Sequence, residues 1–300
     1  MFSDTHFHFQ HFVEGSHIDG ADVLSRMAER GCLFGMDIGT HADDLAGRQA
    51  CAARAIASIA EPRLASRARR LLHFSAGIWP SPEEIANRER RMDVLRAQVA
   101  DADGAPSSST DSLNRSVIAI GECGLDHHWN PAGADGRSVD DFDVALLSGE
   151  RELFEMQLEF AREQNLPVVV HSRDAFADTL ACIKNVGYDN GIIHCYSYGA
   201  DEAAAFLERG WHISFSGSVT YTKKAKMEEL KRLLRIVPDD RILCETDAPY
   251  LAPVPLRGRV NTPLLVEHTY RFIAEIRGTT PEELSRTVDR NIARLFHLAV

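Results

Sequence analysis

Eight short β-rich runs, separated by amphipathic helical stretches from one end of the chain to the other, restrict the possible fold more than any other feature. The runs lie near residues 2–9, 33–38, 72–78, 117–123, 167–172, 191–196, 211–216 and 241–247. Between them, Leu153, Met156, Phe160 and Ala161 recur at near-helical spacing, as do Met227, Leu230, Leu233 and Leu234. Residues 201–209 run up to Gly210, a glycine placed to end a helix. Thr280-Pro281-Glu282-Glu283 combines an N-cap, a proline at the first helical position and a capping-box glutamate. Strands alternating with helices imply βαβ units and a parallel sheet. Eight such units fit a closed (β/α)8 TIM barrel of the α/β class. The competing arrangement is an open doubly wound sheet, but no glycine-rich phosphate fingerprint follows the first run.

A chain of 300 residues suits one such barrel, so a single domain over residues 1–300 is expected. Two stretches break the rhythm, near residues 100–116 and 130–148, and both are polar. The second follows the fourth strand, which in a barrel puts it on the active face, where it could close as a lid. Six scattered cysteines form no C-x-x-C pair and read as reduced, buried side chains. No apolar run reaches the ~18 residues of a membrane helix, and the chain enters its first strand without a basic and apolar leader. A cytoplasmic protein without an obligate protein partner or membrane contact is expected. The net charge of −11 argues against a protein that tracks nucleic acid over a long basic surface. A short phosphate-containing substrate stays compatible, because bound cations would reverse the local potential.

Residues that bind metals recur where these strands end. The first run carries His6-Phe7-His8, and imidazoles at i and i+2 of an extended segment point the same way. The fourth ends in Gly121-Glu122-Cys123-Gly124-Leu125-Asp126. The fifth delivers His171-Ser172-Arg173, the sixth His194-Cys195-Tyr196-Ser197 and the eighth Glu245-Thr246-Asp247. Each piece has an ordinary reading as a cap, a packed side chain or a solvated acid. Their recurrence at five of eight strands matters, since barrel active sites are assembled from the ends of different strands. Four imidazoles and two carboxylates exceed the needs of one four-coordinate ion and suit a pair of divalent metals.

In these segments the chain resembles the TatD family of metal-dependent hydrolases and deoxyribonucleases, within the amidohydrolase-like barrels. Asp4-Thr5-His6-Phe7-His8, Pro167-Val168-Val169-Val170-His171-Ser172-Arg173, Ile193-His194-Cys195-Tyr196-Ser197 and Glu245-Thr246-Asp247-Ala248-Pro249-Tyr250-Leu251 carry the resemblance, with the Glu122 segment, Arg257-Gly258-Arg259-Val260-Asn261 and Asn291. It implies that His6, His8 and Asp247 hold one metal, that His171 and His194 hold the other, and that Glu122 bridges them. Two departures stand out. Tyr198 intervenes before Gly199, and Thr262 follows Asn261 where the family commonly has glutamate.

The expected chemistry is hydrolysis of a phosphodiester, foremost in DNA, by a hydroxide that the two metals activate near neutral pH. Asp247 is expected to take the proton of the water and Glu122 to fix the metal separation. Glu245, two residues before Asp247, should face inward and orient a ligand. Arg173, with its bidentate fork, and Tyr250 are expected to contact substrate, and Asp126 and His127 to line the pocket. Lys223, Lys224, Arg257 and Arg259 read first as solvated faces and second as weaker candidates for phosphate contact, and His11, His41, His73 and His212 read as structural or surface residues. The donor types suit zinc, manganese, magnesium or iron. The same ligand set would also hydrolyse an ester or amide such as an aminoacyl-tRNA, which is the alternative reading. A metal-stabilised interaction protein without turnover is a third reading, disfavoured by the intact acid at Asp247.

Overall fold

A computed structural model describes residues 2–104, 116–128 and 143–298, with side chains for all of them except 103 and 104. Eight parallel strands follow one another in sequence order: β1 (Asp4–Phe7), β2 (Gly35–Asp37), β3 (Leu72–Ala76), β4 (Val117–Asp126), β5 (Val168–Arg173), β6 (Gly191–Ile193), β7 (His212–Phe215) and β8 (Ile242–Cys244). The last strand returns to the first through a parallel bridge between Phe7 and Ala248. The Asp247 amide donates to the His6 carbonyl at 2.9 Å and the His8 amide to the Ala248 carbonyl at 2.7 Å, which closes the barrel. Inside it, the Thr5 and Ser214 hydroxyls meet at 3.2 Å across β8.

The outer ring holds α1 (Gly20–Glu29), α2 (Leu45–Ala57), α3 (Pro62–Leu71), α4 (Pro82–Ala86), α5 (Arg88–Gly104), α6 (Val144–Gln164), α7 (Phe176–Val186), α8 (Ala200–Leu207), α9 (Met227–Ile236), α10 (Val266–Arg277) and α11 (Pro281–Leu295). The apolar spacing read from sequence is the face these helices bury: Leu153, Phe160 and Ala161 on α6, and Leu230, Leu233 and Leu234 on α9. Thr280 and Glu283 form the expected reciprocal capping box at the start of α11.

Every expected strand is present, and most are shorter than their β-rich run. The ladder of β6 ends at Ile193 and that of β8 at Cys244, so His194, Glu245 and Asp247 sit where the chain peels away from the sheet. Most of the polar segments 100–116 and 130–148 lies outside the described residues. Their described ends are helical: residues 100–104 finish α5, and 144–148 open α6 behind an Asp143 cap. Among the described residues no helix is long and apolar enough to cross a membrane. All six cysteines are unpaired thiols, and all but Cys195 are buried.

Two histidines at the base of the barrel give the fold an acid-sensitive element. His73, the second residue of β3, stacks on Phe34 with ring centroids 4.8 Å apart, and His212 opens β7; both are nearly buried. Burial lowers each to about 4, with the charge of Arg241 helping at His212. Between pH 6.5 and 4 the unfolded chain therefore binds more protons than the folded one. Their contribution is complete above pH 6.5 and is lost as pH falls toward 4, at most on the order of 3 kcal/mol for each. A His73→Phe, His212→Phe double variant should show a shallower fall of melting temperature across that window. Parallel curves for variant and parent would remove the assignment.

Candidate metal centre

The local structure of β4 explains the glycines around Glu122. Its ladder to β5 pairs Gly121 with Val169 and Cys123 with Val170, leaving Glu122 as an extra residue in a bulge. Gly121 and Gly124 have φ of +140° and +142°, where L side chains are strained. A Cβ at Gly121 would lie 2.5 Å from the Val169 carbonyl oxygen, and one at Gly124 only 1.9 Å from that of His171. The bulge aims the Glu122 carboxylate at the barrel mouth, where it is 5% exposed.

Six expected residues converge there. His6 and His8 bring their Nε2 atoms to 3.3 Å. Glu122 Oε2 lies 3.3 Å from His6 Nε2 and 3.7 Å from His8 Nε2, and Asp247 Oδ1 lies 3.5 Å from both nitrogens. The other oxygen, Oε1, lies 2.9 Å from His171 Nδ1 and 3.1 Å from His194 Nε2, and those nitrogens are 3.2 Å apart. Glu122 thus gives one oxygen to each imidazole pair. The separations around Oε2 suit a shared ion: four donors at ~2.0–2.1 Å from a tetrahedral zinc stand about 3.3 Å from one another. They are longer than the ~2.9 Å usual for an N–H···O hydrogen bond. The triplets His6, His8, Glu122 and Glu122, His171, His194 are each close enough to hold a metal ion, as is the overlapping triplet His6, His194, Glu245.

Neighbours fix the direction of several donors. His8 Nδ1 lies 3.3 Å from the Ile38 carbonyl, which turns Nε2 toward Glu122. His194 Nδ1 lies 3.3 Å from Glu245 Oε1, which also accepts from the Cys195 amide at 2.8 Å. Glu245 is fully buried and faces inward. It touches an imidazole of the cluster through the nitrogen that faces away from Glu122, the arrangement that sets tautomer and ring orientation. His171 Nε2 is held in the same way by Asp126 Oδ2 at 3.1 Å.

Burial raises the Glu122 carboxyl, but the His194, His171 and His6 imidazoles outweigh it and hold the group well below the usual carboxylate range. Asp247 follows the same balance, burial opposed by His8, His6 and His194, and is also lowered. Conversely, His171 is raised to about 9, its burial outweighed by Asp126 and Glu122. The cluster is a dense array of mutually compensating charges, with both acids ionised.

The residues expected to touch substrate divide. Tyr250 is half exposed at the mouth, its ring 6.0 Å from that of His8. Arg173 is partly exposed, with its guanidinium 3.7 Å from Asp126. Asp126, expected to line the pocket, is 1% exposed, with Oδ2 against His171 Nε2 and Oδ1 accepting from the His128 amide at 2.9 Å, while its own amide donates to Glu150 at 2.9 Å. His127 is mostly buried, with Nε2 3.2 Å from Glu150 Oε2 but not aligned for a hydrogen bond.

Other residues of the site were not legible as such. His11, read as structural or surface, lies in a single π-helical turn and stacks on His8, with centroids 5.0 Å apart. The available signal was its position one helical turn after His8. Trp79, in the loop after β3, sets its ring edge-on to His171 at 6.0 Å. Asp4 does not join the cluster: it accepts from the Thr246 amide and hydroxyl, at 3.0 and 2.6 Å, and from the His6 amide. It thereby clasps β1 to the segment after β8. The extra residue Tyr198 also has a task, its hydroxyl accepting from the Ala175 amide and meeting Ser172 beside His171.

This geometry agrees with comparison to known proteins. The sequence model of the family described as TatD related DNase matches residues 3–297. The chain belongs to the TatD-related DNase family. It is a metal-dependent hydrolase of the TatD type, acting on ester bonds. The uncharacterized metal-dependent hydrolase YcfH of Escherichia coli K12 is 33% identical over 304 residues, covering 98% of this chain and 95% of its own. The protein named 3'-5' ssDNA/RNA exonuclease TatD in Pantoea vagans is 35% identical over 189 residues, 61% of this chain and 67% of its own. Among solved structures, the TatD homologue YJJV of Escherichia coli K12 superposes with a TM-score of 0.75 at 22% identity, covering 99% and 98% of the two chains. That likeness bears on the fold, a TatD-type barrel.

Proposed function

We propose that this TatD-family hydrolase is a two-metal deoxyribonuclease that cleaves phosphodiester bonds at the mouth of its barrel. The observation that carries the reading is the division of Glu122 between two imidazole pairs, one oxygen facing each. His6, His8 and Asp247 would hold one ion, His171 and His194 the other, with Glu122 shared. Two divalent cations in such a site supply Lewis acidity toward water and toward the phosphoryl oxygens. Asp247, ionised and reaching the cluster with one oxygen, is placed to accept a proton from the attacking water. Glu245 and Asp126 orient His194 and His171 from behind. Arg173 and Tyr250 stand at the rim, where a phosphate and a base edge or face can meet them.

Nuclease chemistry rather than carbonyl chemistry draws support from the relatives named as ssDNA/RNA exonucleases. Purified protein should therefore lose hydrolysis of single-stranded DNA after exhaustive chelation and regain it with a divalent cation. Two equivalents of metal per chain are expected on reloading. Full activity after metal removal would end the reading. An Arg173→Ala variant tests the substrate class, with KM for a phosphodiester rising on the order of tenfold and that for an uncharged ester changing little. Equal losses on both would favour the carboxylic-ester alternative.

A further inference from the structure

The net charge of the chain is −11, yet one side of the barrel mouth is locally cationic. Lys223, Lys224 and Lys226 follow the 3-10 turn Gly217–Tyr221 after β7, and Arg257 and Arg259 lie in the segment after β8. All five are exposed, and none has a carboxylate within 4.0 Å among the described residues. Neighbouring surface acids are engaged by other cations: Glu228, two residues after Lys226, by Lys231 at 2.7 Å, and Asp201 by Arg232 at 2.7 Å.

The two segments form one body. The Tyr221 hydroxyl donates to the Ala252 carbonyl at 2.6 Å, and the Val254 amide donates to Thr220 Oγ1 at 2.9 Å. A Cβ at Gly217 would lie only 2.3 Å from the Leu251 carbonyl oxygen, so the backbones meet without a side chain between them. The Arg257 guanidinium rests 4.4 Å from the centre of the Tyr221 ring. Tyr250, Val254 and Val260 add exposed apolar surface beside these cations. The body begins at the metal centre itself, since Asn261 Nδ2 donates to the Thr246 and Tyr250 carbonyls and pins the segment to the end of β8.

Unpaired cations beside the half-exposed Tyr250 ring and the Arg257 guanidinium plane over Tyr221 match the two halves of a nucleotide, phosphate and base. In duplex DNA the base faces are stacked and closed to such rings. We propose that the loops after β7 and β8 form a platform for the nucleotides flanking the scissile bond of a single-stranded nucleic acid. The proposal rests on the phosphodiester reading above and adds where the rest of the strand lies. Lys223, Lys224, Lys226, Arg257 and Arg259 neutralise successive phosphates, and Tyr250 and the Arg257–Tyr221 stack receive bases. Their local field also offsets the repulsion of an acidic protein for a polyanion.

The test separates binding from chemistry. Anisotropy titrations of labelled dT3 and dT12 are made in excess EDTA on wild type, on K223E/K224E and on K223E/K224E/R257E. Wild type should bind dT12 at least about tenfold more tightly than dT3. The triple variant should lose about tenfold or more of the dT12 affinity, and its log affinity against log salt should flatten by about 2, at ~0.7 per phosphate contact. K223E/K224E, which changes only two exposed ammonium groups, should show a smaller flattening of the same sign. Unchanged dT12 affinity and slope in variants that melt like the parent would overturn the platform. So would equal, equally charge-sensitive binding of a blunt duplex or displacement of dT12 by an acidic peptide. Hydrolysis of bis(p-nitrophenyl) phosphate by the metal-loaded wild type, measured separately, tests the phosphodiester reading alone.

Discussion

Glu122→Gln should lower kcat/KM on single-stranded DNA by about 10³-fold or more, equivalent to about 4 kcal/mol of transition-state stabilisation. Metal content should fall from two equivalents to one or fewer. The size follows from position: Glu122 gives a separate oxygen to each imidazole pair, with Oε2 3.3 Å from His6 and Oε1 2.9 Å from His171. A carboxamide keeps the volume and one oxygen but places an N–H donor against the other pair. It also removes the negative charge that four neighbouring imidazoles compensate, so the ions would repel each other across a neutral bridge. A variant that binds two metals and turns over at the parental rate would remove the bridging role.

Asp247→Asn is the second large effect, expected at about 10²–10⁴-fold in kcat, the range typical of a lost general base. Its diagnostic value lies in what should survive. Asp247 has φ of +58°, a left-handed conformation that asparagine tolerates as well as aspartate. Its amide still donates to the His6 carbonyl and still joins β8 to β1. Barrel closure and melting temperature should therefore persist while turnover is lost. If kcat is unchanged, Asp247 does not accept the proton. If the protein unfolds instead, the residue acts chiefly as a barrel latch, and Asp247→Glu, which restores the charge, decides between the two.

Much of this site could be read before any coordinates. His6 and His8 share a face because β side chains alternate, and that alternation is local. His171 and His194 announced themselves by ending apolar runs, and Glu122 by its glycine frame. What short-range spacing left open turned on interactions between distant segments. Asp126 looked like a pocket residue because it lies four positions from Glu122. Its carboxylate lies 3.1 Å from His171 Nε2, a contact between β4 and β5 that spacing along the chain does not show. Trp79 carried no signal and His11 only its spacing from His8; their place beside the imidazoles comes from the segments after β3 and β1 meeting at the same mouth. Lys223 and Arg257 read first as solvated charge and second as weaker candidates for phosphate contact. Tyr221 and Ala252 bring their segments together, so a surface exists where the sequence had two unrelated runs.

The sequence by itself determined the alternation of strand and helix, hence the parallel barrel, and the donor atoms at the strand ends. These are properties of residue type and short-range spacing, which side-chain periodicity expresses within a few residues. The tertiary structure alone decided which donors face one another, which acids touch imidazoles rather than solvent, and that Glu122 divides its oxygens. Those depend on strand register, on the bulge at Glu122 and on the return of β8 to β1, which brings Asp247 to His6 across 241 positions of chain. Register and closure are set by the summed packing of the whole barrel, and no local segment encodes them.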